Sequence, residues 1–294
     1  MKPRLLAIAA LLLPATLVFA QAERLTVRLA PAPNQTLHVR TTMDMNMTMT
    51  PDSSADTARS MPPMTSIMTT TAEHTTTVGP TDEHGHYGAR VVCDSVSHTA
   101  TINGKPAPIP SGAIDQLVGQ VVTFSYDDQG KMLDVATEGG LDPNLAGSLK
   151  QMLTAALAAA PPITLSVGES VTVPTQVNIP IPAAAAGTLS TSGETRYTLT
   201  SVTFDGADRI AHLAMASNGA INNSAAGAGA IPAVTSDMRT VSEGTMDVNV
   251  DRGIVLHSET RTTLDGSTRV EGGPIAVPPM RMHGTIKLSA DLTK

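Results

Sequence analysis

The clearest pattern in the chain is an alternation with a period of two. Through Leu37-His38-Val39-Arg40-Thr41-Thr42-Met43-Asp44-Met45-Asn46-Met47-Thr48-Met49, odd positions are mostly apolar and even positions polar. Successive side chains of a strand point to opposite faces. The segment therefore predicts a strand with Leu37, Val39, Met43, Met45, Met47 and Met49 on one face and His38, Arg40, Asp44, Asn46 and Thr48 on the other; a helix would smear the pattern around its circumference. Polar residues 51–63 break it. A Thr-rich strand follows over residues 66–78, Thr being a good strand former. After a turn at 81–85, residues 86–100 read as a third strand, with Tyr87, Ala89, Val91 and Cys93 on one face. Asn103-Gly104 marks a turn.

The period changes in the middle of the chain. Residues 111–117 read as a short helix, and a longer one begins at Asp142, which can cap, with Pro143 in the first helical position. Leu145, Leu149, Met152, Leu153, Ala156 and Leu157 follow at helical spacing, and Pro161-Pro162 ends the run. Between these helices lies a hairpin of residues 121–126 and 132–136 around Asp127-Asp128-Gln129-Gly130.

The C-terminal half returns to strands. One covers residues 170–179. Residues 194–204 and 210–216 are joined by a turn containing Asp205-Gly206, a hairpin signal. Residues 245–250 and 254–263 are joined through Asp251-Arg252-Gly253. A last strand covers 280–291, with Met280, Met282, Ile286, Leu288 and Ala290 facing one way. The Ala-rich residues 183–186 and the Ala/Gly/Asn-rich residues 217–230 read as long loops. Tight turns make antiparallel neighbours. The expectation is a mainly β fold: one large, curved antiparallel sheet, a half-barrel, with one or two helices covering its concave face. It forms a single domain over residues 37–294 with a helical insert at about 111–160, preceded by a linker or first extended segment over 21–36.

Residues 1–20 have a different design. Lys2 and Arg4 precede an almost wholly apolar run over residues 5–19, and Val18-Phe19-Ala20 supplies a cleavage site before Gln21. This is the pattern of a secretory signal peptide, and its apolar run falls short of the roughly 20 residues that span a bilayer. The expectation is a periplasmic or secreted protein, cleaved after Ala20, with no stable membrane insertion. No cysteine adjoins the cleavage site for acylation.

Composition narrows the functional classes. Loss of Lys2 and Arg4 takes the formal charge of −7 to near −9, which argues against nucleic-acid or anionic-membrane partners. The single cysteine, Cys93, excludes an intramolecular disulfide, so the fold must rely on its own core. Aromatic residues are 2% of the chain and Trp is absent; stacking sites for sugars or single-stranded nucleic acid find little support. Methionine, at 15 residues, is abundant.

The layout resembles an uncharacterised family of exported bacterial proteins. The resemblance rests on the early Met-alternating strand, on the run from Gln116 to Phe124 leading into Gly130-Lys131-Met132-Leu133-Asp134-Val135, on Ser166-Val167-Gly168-Glu169-Ser170-Val171, and on the hairpin of Tyr197-Thr198-Leu199 and Phe204-Asp205-Gly206. It covers most of the chain after residue 20. Position 171 departs from it, carrying Val where those proteins have a larger residue. The arrangement also looks like the half-barrel of periplasmic lipoprotein carriers of the LolA and LppX type, in which a curved sheet and a helical lid enclose a cavity for acyl chains. Neither likeness brings catalytic residues with it, and an architectural likeness does not fix function.

Few motifs carry chemistry. The Ser elbow G-x-S-x-G, H-E-x-x-H and the phosphate-binding glycine loops are absent from the sequence, so no catalytic residue, resident metal or cofactor is expected and an enzyme is disfavoured. His84-Gly85-His86 is a pair in a turn, short of the three or four ligands of a zinc site. Cys93 reads as a structural thiol on an apolar face. The Met-x-Met series admits two readings. Thioethers select Cu(I), which would make Met45 and Met47 copper ligands. Met is equally the apolar face of a strand or an adaptable binding surface, and Leu37 and Val39, which bind no metal, continue the same face. The favoured expectation is a non-enzymatic envelope protein that binds a hydrophobic small molecule or lipid acyl chain in the half-barrel, with Met43, Met45, Met47, Met49, Leu149, Met152 and Leu153 lining the cavity. The alternatives are a structural or interaction module with a filled core that meets an envelope protein, and a periplasmic copper-binding protein.

Overall fold

A computed structural model describes residues 24–52, 62–107, 117–138, 147, 150, 154, 162–182, 186–225, 233–272 and 278–293. The signal sequence lies outside these residues. Fourteen strands run in order: β1 (Leu25–Val27), β2 (Gln35–Pro51), β3 (Met64–Val78), β4 (Tyr87–Ile102), β5 (Lys105–Pro106), β6 (Val121–Tyr126), β7 (Met132–Glu138), β8 (Ile163–Leu165), β9 (Ser170–Pro182), β10 (Ala186–Asp205), β11 (Asp208–Ala225), β12 (Ala233–Asn249), β13 (Ile254–Glu271) and β14 (Met280–Thr293). Twelve of them form one open antiparallel sheet in the order β7-β6-β4-β3-β2-β14-β13-β12-β11-β10-β9, with β5 beside β4. Strands β1 and β8 form a separate two-stranded ribbon. The last strand pairs with the first long one, β14 with β2, which seats the C-terminal half directly beside the N-terminal half.

The two faces differ sharply. Positions that pair across antiparallel strands point the same way, so the register assigns each side chain to a face. The outer face sets polar partners directly opposite one another: Arg40 pairs with Glu73, and His212, His257 and His283 are hydrogen-bonded to Asp247, Asp291 and Asp265. A slip of one residue would bring these polar groups inside and put the methionines in water, so the pattern pins the register. The edge strand β9 holds Pro174, Pro180 and Pro182, where the missing N–H groups cost no ladder bonds and discourage pairing with another chain.

The inner face is bent. A Cβ added to Gly244 or Gly266 would collide with backbone of the neighbouring strand, at Glu259 and Thr260 or at Asp237 and Met238 respectively. Strands approach this closely only where glycine removes the obstacle, and such kinks let a wide sheet curl. Register shifts at Leu199/Ser201, Asp247/Val248, Glu73/His74 and Ser125/Tyr126 add further bends toward one end of the sheet.

That end is closed. Leu25, Val27, Ile163 and Leu165 of the ribbon pack on Val173, Leu199, Leu213, Met246 and Val248 of the sheet. Leu165, Leu199 and Leu213 are at most 1% exposed, each contributing about 1.5–3 kcal/mol by burial. A second cluster of Val78, Ala89 and Tyr126 lies toward the opposite edge. Arg209 and Asp251 tie the β10–β11 hairpin to the β12–β13 turn with paired hydrogen bonds, one of them 2.5 Å. The Arg209 side chain holds the Asp251 carboxyl below its usual value, assisted by the backbone N–H of Arg209.

Several expectations are corrected. Among the described residues no helix covers the inner face: one end of it is roofed by the β1–β8 ribbon and by the segment that follows β1. Most of the expected helices at 111–117 and 142–157 fall outside the described residues. Gly147, Lys150 and Thr154 are helical, but Lys150 Nζ reaches Asp134 Oδ1 at 3.0 Å, and Asp134 faces outward from edge strand β7, next to inward Val135. Within the segment expected as a linker or first extended stretch, the described residues begin at Arg24; Leu25–Val27 are extended as β1, with Leu25 and Val27 buried, and Gln35 opens β2. Residues 217–225 are not a loop: they continue β11, and their small size answers a close approach, Gly219 lying opposite Gly193. Of the loop expected at 183–186, Ala186 opens β10 and the rest lies outside the described residues.

Two stability experiments follow. Gly266→Ala should lower the unfolding free energy by at least about 2 kcal/mol, while Gly79→Ala, whose added Cβ meets only ordinary contact at 3.6 Å, should change it by less than about 1 kcal/mol; urea unfolding compares them. Asp251 is depressed from 3.8, so its ion pair stabilises above that pH and is lost as pH falls through the lower folded value. Asp251→Asn should therefore lower Tm near neutrality, and the difference from wild type should shrink below pH 3.8.

Candidate functional site

The segment joining β1 to β2, residues 28–34, crosses the closed end as a strap. Arg28 Nη1 donates to the carbonyl of Gln129 in the β6–β7 turn at 3.0 Å, and the N–H of Ala32 donates to the carbonyl of Arg252 in the β12–β13 turn at 2.9 Å. Arg252 Nη2 also donates to Gln35 Oε1 at 3.1 Å. The strap runs so close to Gly253 that a Cβ there would strike the Ala30 backbone, and Gly253 has φ of +65°; both facts require glycine.

Between strap and sheet lies an apolar pocket of about 310 Å³. Leu29 and Pro31 form its strap side. Its floor runs across six strands of the sheet: Leu37 and Val39 of β2, His74 and Thr76 of β3, Ala89 and Val91 of β4, Phe124 and Tyr126 of β6, Ile254 and Val255 of β13, and Ala290 and Leu292 of β14. Side chains from so many strands share one pocket because the sheet curls around it. A second hollow of about 360 Å³, near the other end of β10, β11 and β12, is lined by polar residues such as Ser190, Asn223 and Asp237.

The polar groups of the apolar pocket are neutral. His74 sits opposite Val39 on one side and Cys93 on the other. Burial pushes its pKa below 6.5, against the opposing pull of the Asp94 carboxylate, so it presents a neutral imidazole with one donor and one acceptor nitrogen. Tyr126 stacks on Tyr87 with centroids 5.2 Å apart; burial, with Tyr87 adding to it, pushes its phenol up to about 12. The lining thus offers hydrocarbon surface with an imidazole, a threonine hydroxyl and a phenol, suited to enclosing an apolar body and orienting a polar head.

Met43, Met45, Met47 and Met49 share the inner face with Leu37 and Val39, as their parity requires, but they continue past the pocket toward the open end. Leu149, Met152 and Leu153 lie outside the described residues. The pocket residues on β3, β4, β6, β13 and β14 escaped sequence reasoning. The alternation that marked their faces was visible, but the seating of β14 beside β2 was not. His84-Gly85-His86 is a turn whose N–H groups at His84 and His86 both donate to Asp82 Oδ1 at 2.8 Å. Cys93 is half-buried, and burial, then Asp94, pushes its thiol up. Among the described residues no cluster of three or more His, Cys, Asp and Glu could hold a metal ion.

His74 makes the pocket acid-sensitive. Its folded pKa is lowered, so the unfolded chain takes up the proton more readily as pH drops below 6.5, and stability falls. The urea midpoint should decrease between about pH 7.5 and about pH 5, and His74→Gln should remove part of that decrease. In comparisons with known proteins, no protein-family model matches the chain, and no curated protein matches it in sequence.

Proposed function

We propose that this is an exported, soluble, non-enzymatic binding protein of the cell envelope that carries an apolar ligand, such as a lipid acyl chain, on the inner face of its sheet. The observation that carries this reading is the apolar pocket beneath the strap. Its volume, about 310 Å³, lies at the small end of the range for ligand sites, about 300–1,000 Å³. The inner face continues from it as Met43, Met45 and Met47 with Ile286 and Leu288 opposite, so a chain longer than the pocket would stay on apolar surface. Methionine adapts its shape to varied ligands. The likeness to lipoprotein-carrier half-barrels belongs to the same proposal, with a strap and ribbon roofing one end where those carriers use a helical lid.

The experiment uses protein purified without detergent and a dansyl-labelled undecanoic acid. Saturable fluorescence enhancement is expected, together with co-purified lipid in native mass spectra. Val39→Trp should fill the pocket and weaken the probe at least about tenfold, a change of about 1.4 kcal/mol, with Tm little altered. Absence of enhancement from wild type would favour the alternative of an interaction module meeting an envelope protein.

A further inference from the structure

The open end of the inner face brings together methionines from the consecutive strands β2 and β3 and from the distant β14. Met49 of β2 lies directly opposite Met64 of β3 on one side and Met282 of β14 on the other. Cα atoms so paired are about 4.5–5.5 Å apart, and each thioether stands on a flexible stem. Met49 stands between the other two on one face, so flexible stems put all three sulfurs within reach of one point. Met47, one step along β2, adds a fourth: its Cγ lies only 2.9 Å from where a Cβ on Gly284 would be. Gly284 thus leaves room for the Met47 side chain over β14, beside Met282.

Simple packing explains these residues poorly. Where the same face of β2 is closed over, it is Leu37 and Val39; at the open end it becomes methionine at every alternate position. Strands favour β-branched and aromatic residues. Methionine as a gap-filler belongs in irregular buried spaces, whereas Met47, Met49, Met64 and Met282 are all partly exposed. A partly exposed thioether cluster is accessible to a soft ion.

We propose that Met49, Met64 and Met282, with Met47 beside them, form a site for one Cu(I) ion, separate from the pocket under the strap. Soft thioethers select Cu(I) over hard divalent cations. They carry no proton to lose, so binding here is independent of pH, unlike binding to imidazole. The acidic balance of the chain, −7, favours a cation's approach.

Ag(I), a redox-inert stand-in for Cu(I), is titrated into the full mature chain and followed by calorimetry and by NMR of ¹³C-methyl-labelled methionine. One equivalent should bind, shifting a small group of methionine methyl signals, with the same affinity at about pH 7 and about pH 5.5. The triple variant Met49→Leu/Met64→Leu/Met282→Leu keeps the face apolar at similar volume; it should bind Ag(I) at least tenfold more weakly yet still bind the dansyl fatty acid. Failure of the fatty-acid probe alone overturns the carrier reading and leaves this one standing. Unshifted methionine methyls, equal affinity of wild type and variant, or affinity that falls with acidification and so points to His74 or to His98, which lies on β4 opposite Thr70 of β3, each overturns the copper proposal. Should the triple variant fail to fold, the wild-type methyl shifts and pH series decide the matter alone.

Discussion

Everything in this fold answers one constraint: a wide antiparallel sheet with one apolar face must keep that face from water, and the chain has almost no large aromatic side chains to do it. Covering such a face normally takes a second layer. Here the described residues supply only a two-stranded ribbon and a short strap, enough for one end. Over the remainder the inner face stays partly exposed, and glycines at contact positions such as Gly244 and Gly266 let neighbouring strands approach closely and bend.

The same solution creates the pocket. Where the sheet bends around the strap, small and medium residues such as Ala89, Val91 and Ala290 line the space instead of filling it. Hydrogen bonds from the strap to the carbonyls of Gln129 and Arg252 span the pocket and hold its roof. Close-packed interiors leave few such voids, and this apolar hollow, with Leu199 and Leu213 packed on one side and Val78 and Tyr126 on the other, is what the proposed binding of an apolar ligand rests on. The neutral state of His74 suits it: a charged imidazole would cost more to bury beside hydrocarbon.

The two ends of the inner face then differ in chemistry. At the closed end the face is aliphatic and aromatic, and at the open end it is sulfur-rich. On the outer face, polar partners in register, such as His257 hydrogen-bonded to Asp291, hold the strands in the alignment that keeps the two faces distinct. A cross-strand pair contributes little alone, roughly 0.2–1 kcal/mol; its larger effect is to penalise the slipped register.

Much of this was legible in the sequence, because a period of two is a local property. Alternation in residues 37–49 and 280–291 identified β2 and β14 and sorted their side chains onto faces, and Asp205-Gly206 located a hairpin. The small residues of 217–225 misled because Gly and Ala depress local strand propensity, while the contact that favours them, Gly219 against Gly193, exists only in the assembled sheet. Leu25 and Val27 were too few to announce a strand without Ile163 and Leu165 some 140 residues away. The candidate site divides in the same way. The sequence by itself determined which methionines face inward, since parity along a strand decides that. Only the tertiary structure decided which of them meet and where the pocket lies, since both depend on β14 pairing with β2 and on a strap reaching two distant turns, contacts between segments whose separation along the chain carries no local signal.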